Sequence, residues 1–288
     1  MYCRGILIVS NKKYWILAGS ALLIGAPAAH AAETDAGGVF SVTAGANYSS
    51  GKYGTNTSTD IWSVPLTAAY QTDRWTFKLV VPYIYISGAG NVIPGIGSVN
   101  NGNPKGRGHG KSGPTTPTTP TTTTTSGAAS GLGDITASAG YELFSSADRS
   151  FGLDLTGNVN FGTASAAQGL GTGQTNYGLS LDSYKVSGNW TMFGGVGWMN
   201  YGSSQYIQLK NGFNANVGAG YKLSPKSDIG AYYYYRERIA TGGAAQSELT
   251  AYWNYKLSNS LRLQTYVLGG FANGSPDYGV GASVKYSL

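Results

Sequence analysis

The chain reads as all-β: a twelve-stranded antiparallel transmembrane β-barrel of the outer-membrane type, with both termini on the periplasmic side. Three observations predict it. Apolar and polar residues alternate with period two over twelve runs, and the apolar face of each run is uncharged. The connections between runs are alternately long and short. Charged residues make up only 11% of the sequence, where a water-soluble domain carries roughly 25%, so something other than water covers much of the surface.

Taken in order, residues 1–31 read as a secretory signal peptide. Lys12 and Lys13 precede an apolar stretch over 14–26, and Ala29 and Ala31 flank His30 in an A-x-A cleavage site. The stretch falls short of the roughly 20 residues that a spanning helix needs. Cleavage removes Cys3, the only cysteine, and with it any disulfide, thiolate ligand or thiol nucleophile. It also removes Arg4, Lys12 and Lys13, so 32–288 keeps 16 basic residues against 13 acidic. An excess of three does not argue for nucleic acid as a partner.

The strands follow. The first apolar faces run from Phe40 to Tyr48, Trp62 to Tyr70 and Trp75 to Tyr85, then Ile135 to Leu143, Phe151 to Phe161 and Tyr177 to Leu181. The second half continues with Trp190 to Trp198, Phe213 to Tyr221, Ile229 to Tyr235, Leu249 to Leu257, Leu261 to Val267 and Tyr278 to Leu288. The alternate positions hold Gly, Ser, Thr and Asn together with Lys78, Glu142, Asp154, Asp182, Arg236, Arg238, Glu248, Lys256, Arg262 and Lys285. A register slip of one would aim those charges at hydrocarbon, where a basic group at mid-bilayer costs roughly 2–4 kcal/mol. The register is therefore well determined.

A soluble sandwich also alternates, and the connections separate the two. Short turns at 71–74, 144–150, 187–189, 222–228 and 258–260 interleave with longer loops, which is the segregation expected of an even-stranded barrel. In 230–239, GAYYYYRERI, Tyr233 and Tyr235 point outward into an aromatic girdle. Tyr232 and Tyr234 point into the lumen, followed on that face by Arg236 and Arg238, while Glu237 clears the girdle into water. Arg236, Arg238 and Glu248 sit at adjoining strand ends and are expected to pair.

The largest connection, 88–134, contains PTTPTTPTTTTTS and the bases Lys105, Arg107 and Lys111, and reads as a mobile extracellular tether. Catalysis and cofactors are not expected. His109, the one histidine after cleavage, lies in this loop without an acid or serine partner. No His/Asp/Glu cluster has metal-ligand spacing, and GLGTG at 169–173 lacks the lysine and following helix of a phosphate cradle.

The lumen charges carry more information. In a ring of twelve, strands four to six face strands ten to twelve. The former carry Glu142, Asp154 and Asp182 and the latter Lys256, Arg262 and Lys285, with Glu248 as the exception. An acidic wall opposite a basic wall predicts a transverse field across the pore. The alternative is a filled barrel, since about eight strands enclose only side chains and about 16 an aqueous channel.

The stretches at 64–92, 130–143, 161–185 and 247–288, with their DRW, SGLGD and GSPDYG elements, resemble the Gram-negative outer-membrane "transporter" proteins linked with the meta pathway of phenol degradation. The resemblance implies passage of hydrophobic or aromatic compounds and transfers no binding site. The Pro/Thr insert and the terminal Leu288, where such barrels typically end in Phe, depart from the pattern. The reading is thus a passive channel in the outer membrane of a Gram-negative cell, with lipid, lipopolysaccharide, a small solute and the barrel assembly machinery as partners. The competing reading is a non-conducting surface barrel that acts through its long loop.

Overall fold

The computed structural model describes residues 38–102 and 126–288. The signal segment with Ala29 and Ala31, and Lys105, Arg107, His109 and Lys111 of the long loop, lie outside the described residues.

The strands are β1 (Val39–Gly51), β2 (Thr59–Gln71), β3 (Trp75–Ala89), β4 (Val92–Ile93), β5 (Gly97–Ser98), β6 (Ser126–Leu132), β7 (Ile135–Ser145), β8 (Phe151–Phe161), β9 (Asn176–Ser187) and β10 (Trp190–Asn200). They continue with β11 (Gly212–Ser224), β12 (Ser227–Arg236), β13 (Gln246–Lys256), β14 (Leu261–Gly270) and β15 (Tyr278–Ser287). A short 3-10 turn, η1 (Ala166–Gln168), lies between β8 and β9. β6 and β7 form one stave, because β3 pairs with β7 over 75–80 and with β6 over 83–89. Counting that stave once, twelve antiparallel staves make the wall, and it closes because β1 pairs with both β2 and β15.

The tight turns at 72–74, 146–150, 188–189, 225–226 and 257–260 all fall at one end and the longer loops at the other, as expected. Strict alternation fails at a bulge between Glu142 and Phe144. The extra residue turns both Leu143 and Phe144 outward. Pro65 and Pro82 stand opposite each other on β2 and β3, and Gly133 N–H donates to the Pro82 carbonyl at 2.8 Å. Proline gives no ladder hydrogen bond, so the wall is irregular at the break between β6 and β7.

The outer surface is the uncharged face read from the sequence. Trp62, Leu66, Val196, Phe213, Val217 and Val267 are exposed on it. Aromatic pairs mark both rims. At the long-loop end Tyr48 meets Trp62 at 4.7 Å and Trp198 meets Phe213 at 4.4 Å; at the tight-turn end Trp75 meets Tyr141 at 4.8 Å and Trp190 meets Tyr221 at 4.9 Å. Amphipathic rings at two heights are what two headgroup layers select.

The composition of 44 Gly and 22 Tyr has a packing cause on the inner face. Tyr184, Tyr232, Tyr252 and Tyr266 stand directly across from Gly152, Gly218, Gly230 and Gly281. The rings of Tyr184, Tyr252 and Tyr266 lie over their glycines, so that a Cβ at Gly152, Gly230 or Gly281 would overlap the ring, while Gly218 lies against the Phe193 ring. The rings take the space left where the facing residue has no side chain.

Candidate functional site: the barrel lumen

The lumen divides into a filled half and a hollow half. Tyr184, Phe193, Tyr232, Tyr234, Tyr252, Tyr266 and Leu268 pack together from β9, β10, β12, β13 and β14. A cavity of about 240 Å³ remains beside them, against β1, β2, β3 and the ends of several longer loops. Its wall mixes Ile84, Leu170 and Met199 with Asn47, Asn160, Gln246 and Glu248.

The long loop does not begin as a solvated tether. Residues 88 and 89 belong to β3, 126–132 to β6, and β4 and β5 form a small hairpin that folds inward. Gly88, at φ +137 with Thr59 too close to admit a Cβ, lets β3 turn into it. Val92, Ile93 and Val99 are buried. Ile93 and Val99 pack with Ile207 and Ala240, and Val92 with Tyr53 and Ala89. The sequence reading missed this because its attention went to the Pro/Thr tract. The available signal was NVIPGIGSV, two short apolar runs around Pro94-Gly95.

Arg236, 0% exposed, holds the hairpin. Its Nη1 donates to the carbonyl of Gly95 and its Nη2 to that of Ile96, each at 2.7 Å. The expected trio of Arg236, Arg238 and Glu248 is therefore corrected. β12 ends at Arg236, Arg238 is exposed in the following loop, and the Arg236 guanidinium turns to backbone carbonyls. Two carbonyls of one tight turn accept from its two terminal nitrogens, and Tyr201 stands beside it. Glu237 behaves as the loop residue expected, accepting from Phe213 N–H at 3.0 Å.

Tyr232 and Tyr234 face inward as read, but both belong to the packed aromatic half and neither lines the cavity. Of the twelve residues assigned to a solute path, only Glu248 reaches that wall. Glu142, Asp154, Asp182 and Lys285 are buried in the lumen, while Lys78, Lys256 and Arg262 are half-buried. The strand register puts Glu142 opposite Asp154 and Asp154 opposite Asp182. It likewise puts Lys256 opposite Arg262 and Arg262 opposite Lys285. Two ladders of like charge therefore stand on opposite sides of the ring, both toward the tight-turn end.

Sequence reasoning also missed Asp228. It accepts from Asn254 Nδ2 at 2.8 Å, and Asn254 Oδ1 in turn accepts from Gln264 Nε2 at 2.8 Å. This polar rung lies next to the basic ladder. Near the hairpin, burial pushes the Tyr201 phenol up, with Arg236 beside it pulling the other way, and burial likewise pushes Tyr53 up. Both remain neutral hydroxyls.

A closed antiparallel barrel with an apolar exterior, two aromatic rims and a polar, partly hollow interior is an outer-membrane type barrel. Its fold is similar to that of the COG4313 outer membrane channel from Pseudomonas putida F1, with a TM-score of 0.61 and 15% identity over 89% of this chain and 97% of that one. More distant are the KdgM porin in complex with disordered oligogalacturonate (TM-score 0.48, 10% identity, 85% of this chain and 99% of that one) and the CymD monoaromatic hydrocarbon channel (TM-score 0.41, 9% identity, 88% of each). The likeness is one of fold. No family model matches the sequence. No curated protein matches it either.

Proposed function

We propose that this chain is a passive channel of the Gram-negative outer membrane for small solutes, hydrophobic or aromatic ones among them. The observation that carries the reading is the hollow half of the lumen, a cavity of about 240 Å³ whose wall offers apolar and hydrogen-bonding groups together. A barrel that served only as a surface anchor has no need of an interior void beside a packed one. The same reading takes 1–31 as a signal peptide cleaved after Ala31, puts both termini in the periplasm and makes the assembly machinery, lipopolysaccharide and lipid its surroundings. The DRW, SGLGD and GSPDYG elements support kinship with the phenol meta-pathway transporters. The charge ladders and Glu248 are the groups proposed to bias what passes.

Planar-bilayer recording and liposome swelling with the purified chain test the reading. Discrete current steps and influx of small phenols are expected. A sealed lumen, with surface binding that depends on residues 103–125, would replace the channel with the non-conducting alternative.

A further inference from the structure

Building on the channel reading, we propose that the lumen cavity binds a small organic cation with an apolar body, an arylalkyl ammonium. Among the described residues the carboxylic acids on its wall are Asp134 and Glu248, and no lysine, arginine or histidine lines it. Asp134 lies at the break between β6 and β7 in the fourth stave and Glu248 belongs to the tenth, so in a ring of twelve they stand on opposite sides. Asp134 is held in place by Ala164 N–H, which donates to its Oδ1 at 2.9 Å.

The second observation is independent of charge. Gln246 Oε1 is buried on this wall without a hydrogen-bond partner among the described residues, and Gln246 and Glu248 are each 5% exposed. A carboxylate and an amide oxygen both accept, so the group this part of the wall calls for is a donor. An ammonium supplies three on one atom.

The body of such a ligand also has its complement. Tyr53 and Tyr266 line the cavity, and a cation within about 6 Å of a ring face gains attraction from it. Ile84, Leu170 and Met199 provide apolar wall for an aryl group. Arg236 is the nearby cation to be counted against this. Its guanidinium donates to the carbonyls of Gly95 and Ile96 and stands beside Tyr201, and Arg236 itself does not line the cavity. A carboxylate ligand would meet two acids; a neutral alcohol would satisfy the acceptors and leave the charges uncompensated.

The test is calorimetric titration of the purified full chain in detergent at neutral pH with benzylamine, benzyl alcohol and benzoate. Benzylamine is expected to bind at one per chain, benzyl alcohol more weakly and benzoate not at all. Glu248→Gln is expected to weaken benzylamine by about tenfold, the factor that a lost charge-assisted contact of 1.4 kcal/mol would give. Asp134→Asn serves as the second variant, and heat-modified mobility on gels confirms that each barrel is folded. Equal binding of alcohol and amine, or amine binding unchanged in both folded variants, overturns the inference and leaves the cavity as a water-filled space. Current without amine binding refutes the inference and keeps the channel. Glu248-dependent amine binding without current keeps the site and refutes the channel.

Discussion

Arg236 donates to the carbonyl of Gly95 at 2.7 Å across 141 residues of chain, which makes one side chain of β12 the latch of a hairpin that hangs in the barrel mouth. The neighbouring carbonyl of Ile96 accepts from the same guanidinium. Burying an arginine is costly unless its donors are met, and removing it would take their hydrogen-bond donor from two half-buried carbonyls, at roughly 1 kcal/mol each. Arg236→Ala is therefore expected to free the hairpin. Single-channel conductance should rise and current noise increase, with a lower unfolding midpoint. Arg236→Lys keeps the charge without the two-pronged geometry and should fall between. Conductance identical to the parent in a folded Arg236→Ala barrel would show that the hairpin does not limit passage.

The outward face makes a second prediction. Val217 is 62% exposed on that face, at the middle of β11. Val217→Arg places a guanidinium in hydrocarbon, and the expected loss is about 2–4 kcal/mol in reversible unfolding from lipid vesicles. The same substitution at Leu223, near the tight-turn rim, should cost about 0–1 kcal/mol, because a long basic side chain there reaches the headgroups. Equal losses at both positions would mean that the outer surface does not meet a bilayer in this orientation.

The interior predicts the response of its glycines. Gly281 lies under the Tyr266 ring, whose hydroxyl donates to Asn47 Oδ1 at 3.0 Å. Gly281→Val must displace that ring, an overpacking that typically costs about 1–3 kcal/mol. Gly269 has open space where its Cβ would go and serves as the control. Urea midpoints measured in parallel should fall for the first and hold for the second.

These sites show what the sequence could and could not convey. Period-two alternation sufficed for the wall because each strand meets two unlike media, and a one-residue slip would turn Asp154 or Lys285 into lipid. The position of Arg236 on the inner face was legible for the same reason. Its partners were not, because they lie far away in the chain, in a segment that alternation does not describe. Tyr232 and Tyr234 were placed on the inner face, and their packing into the filled half of the lumen was not legible. Face is a local property of a strand, whereas which tyrosines pack together and which border a void depends on side chains brought in from other strands and loops. Arg238 was misread because the period-two pattern was carried past the end of β12, where the backbone leaves the sheet.

The two charge ladders make the last prediction. Cross-strand neighbours of like sign destabilise a sheet, and here Asp154 faces Asp182 while Arg262 faces Lys285 on the far side of the ring. Ser180 relieves the acidic side by donating from its hydroxyl to Asp182 Oδ2 at 2.8 Å. A pore crossed by opposed rows carries a transverse field, and each row also biases permeant ions on its own. Neutralising Lys256 and Arg262 to glutamine removes positive lumen charge, so the reversal potential under a salt gradient should move toward the cation side. Neutralising Asp154 and Asp182 to asparagine should move it toward the anion side, and combining all four should return it near the parent value. The acidic pair is also expected to gain stability on neutralisation, because repulsion is lost while both amides can still hydrogen-bond. If none of the three variants shifts the reversal potential, ions do not pass between the two rows, and the ladders act only within the wall.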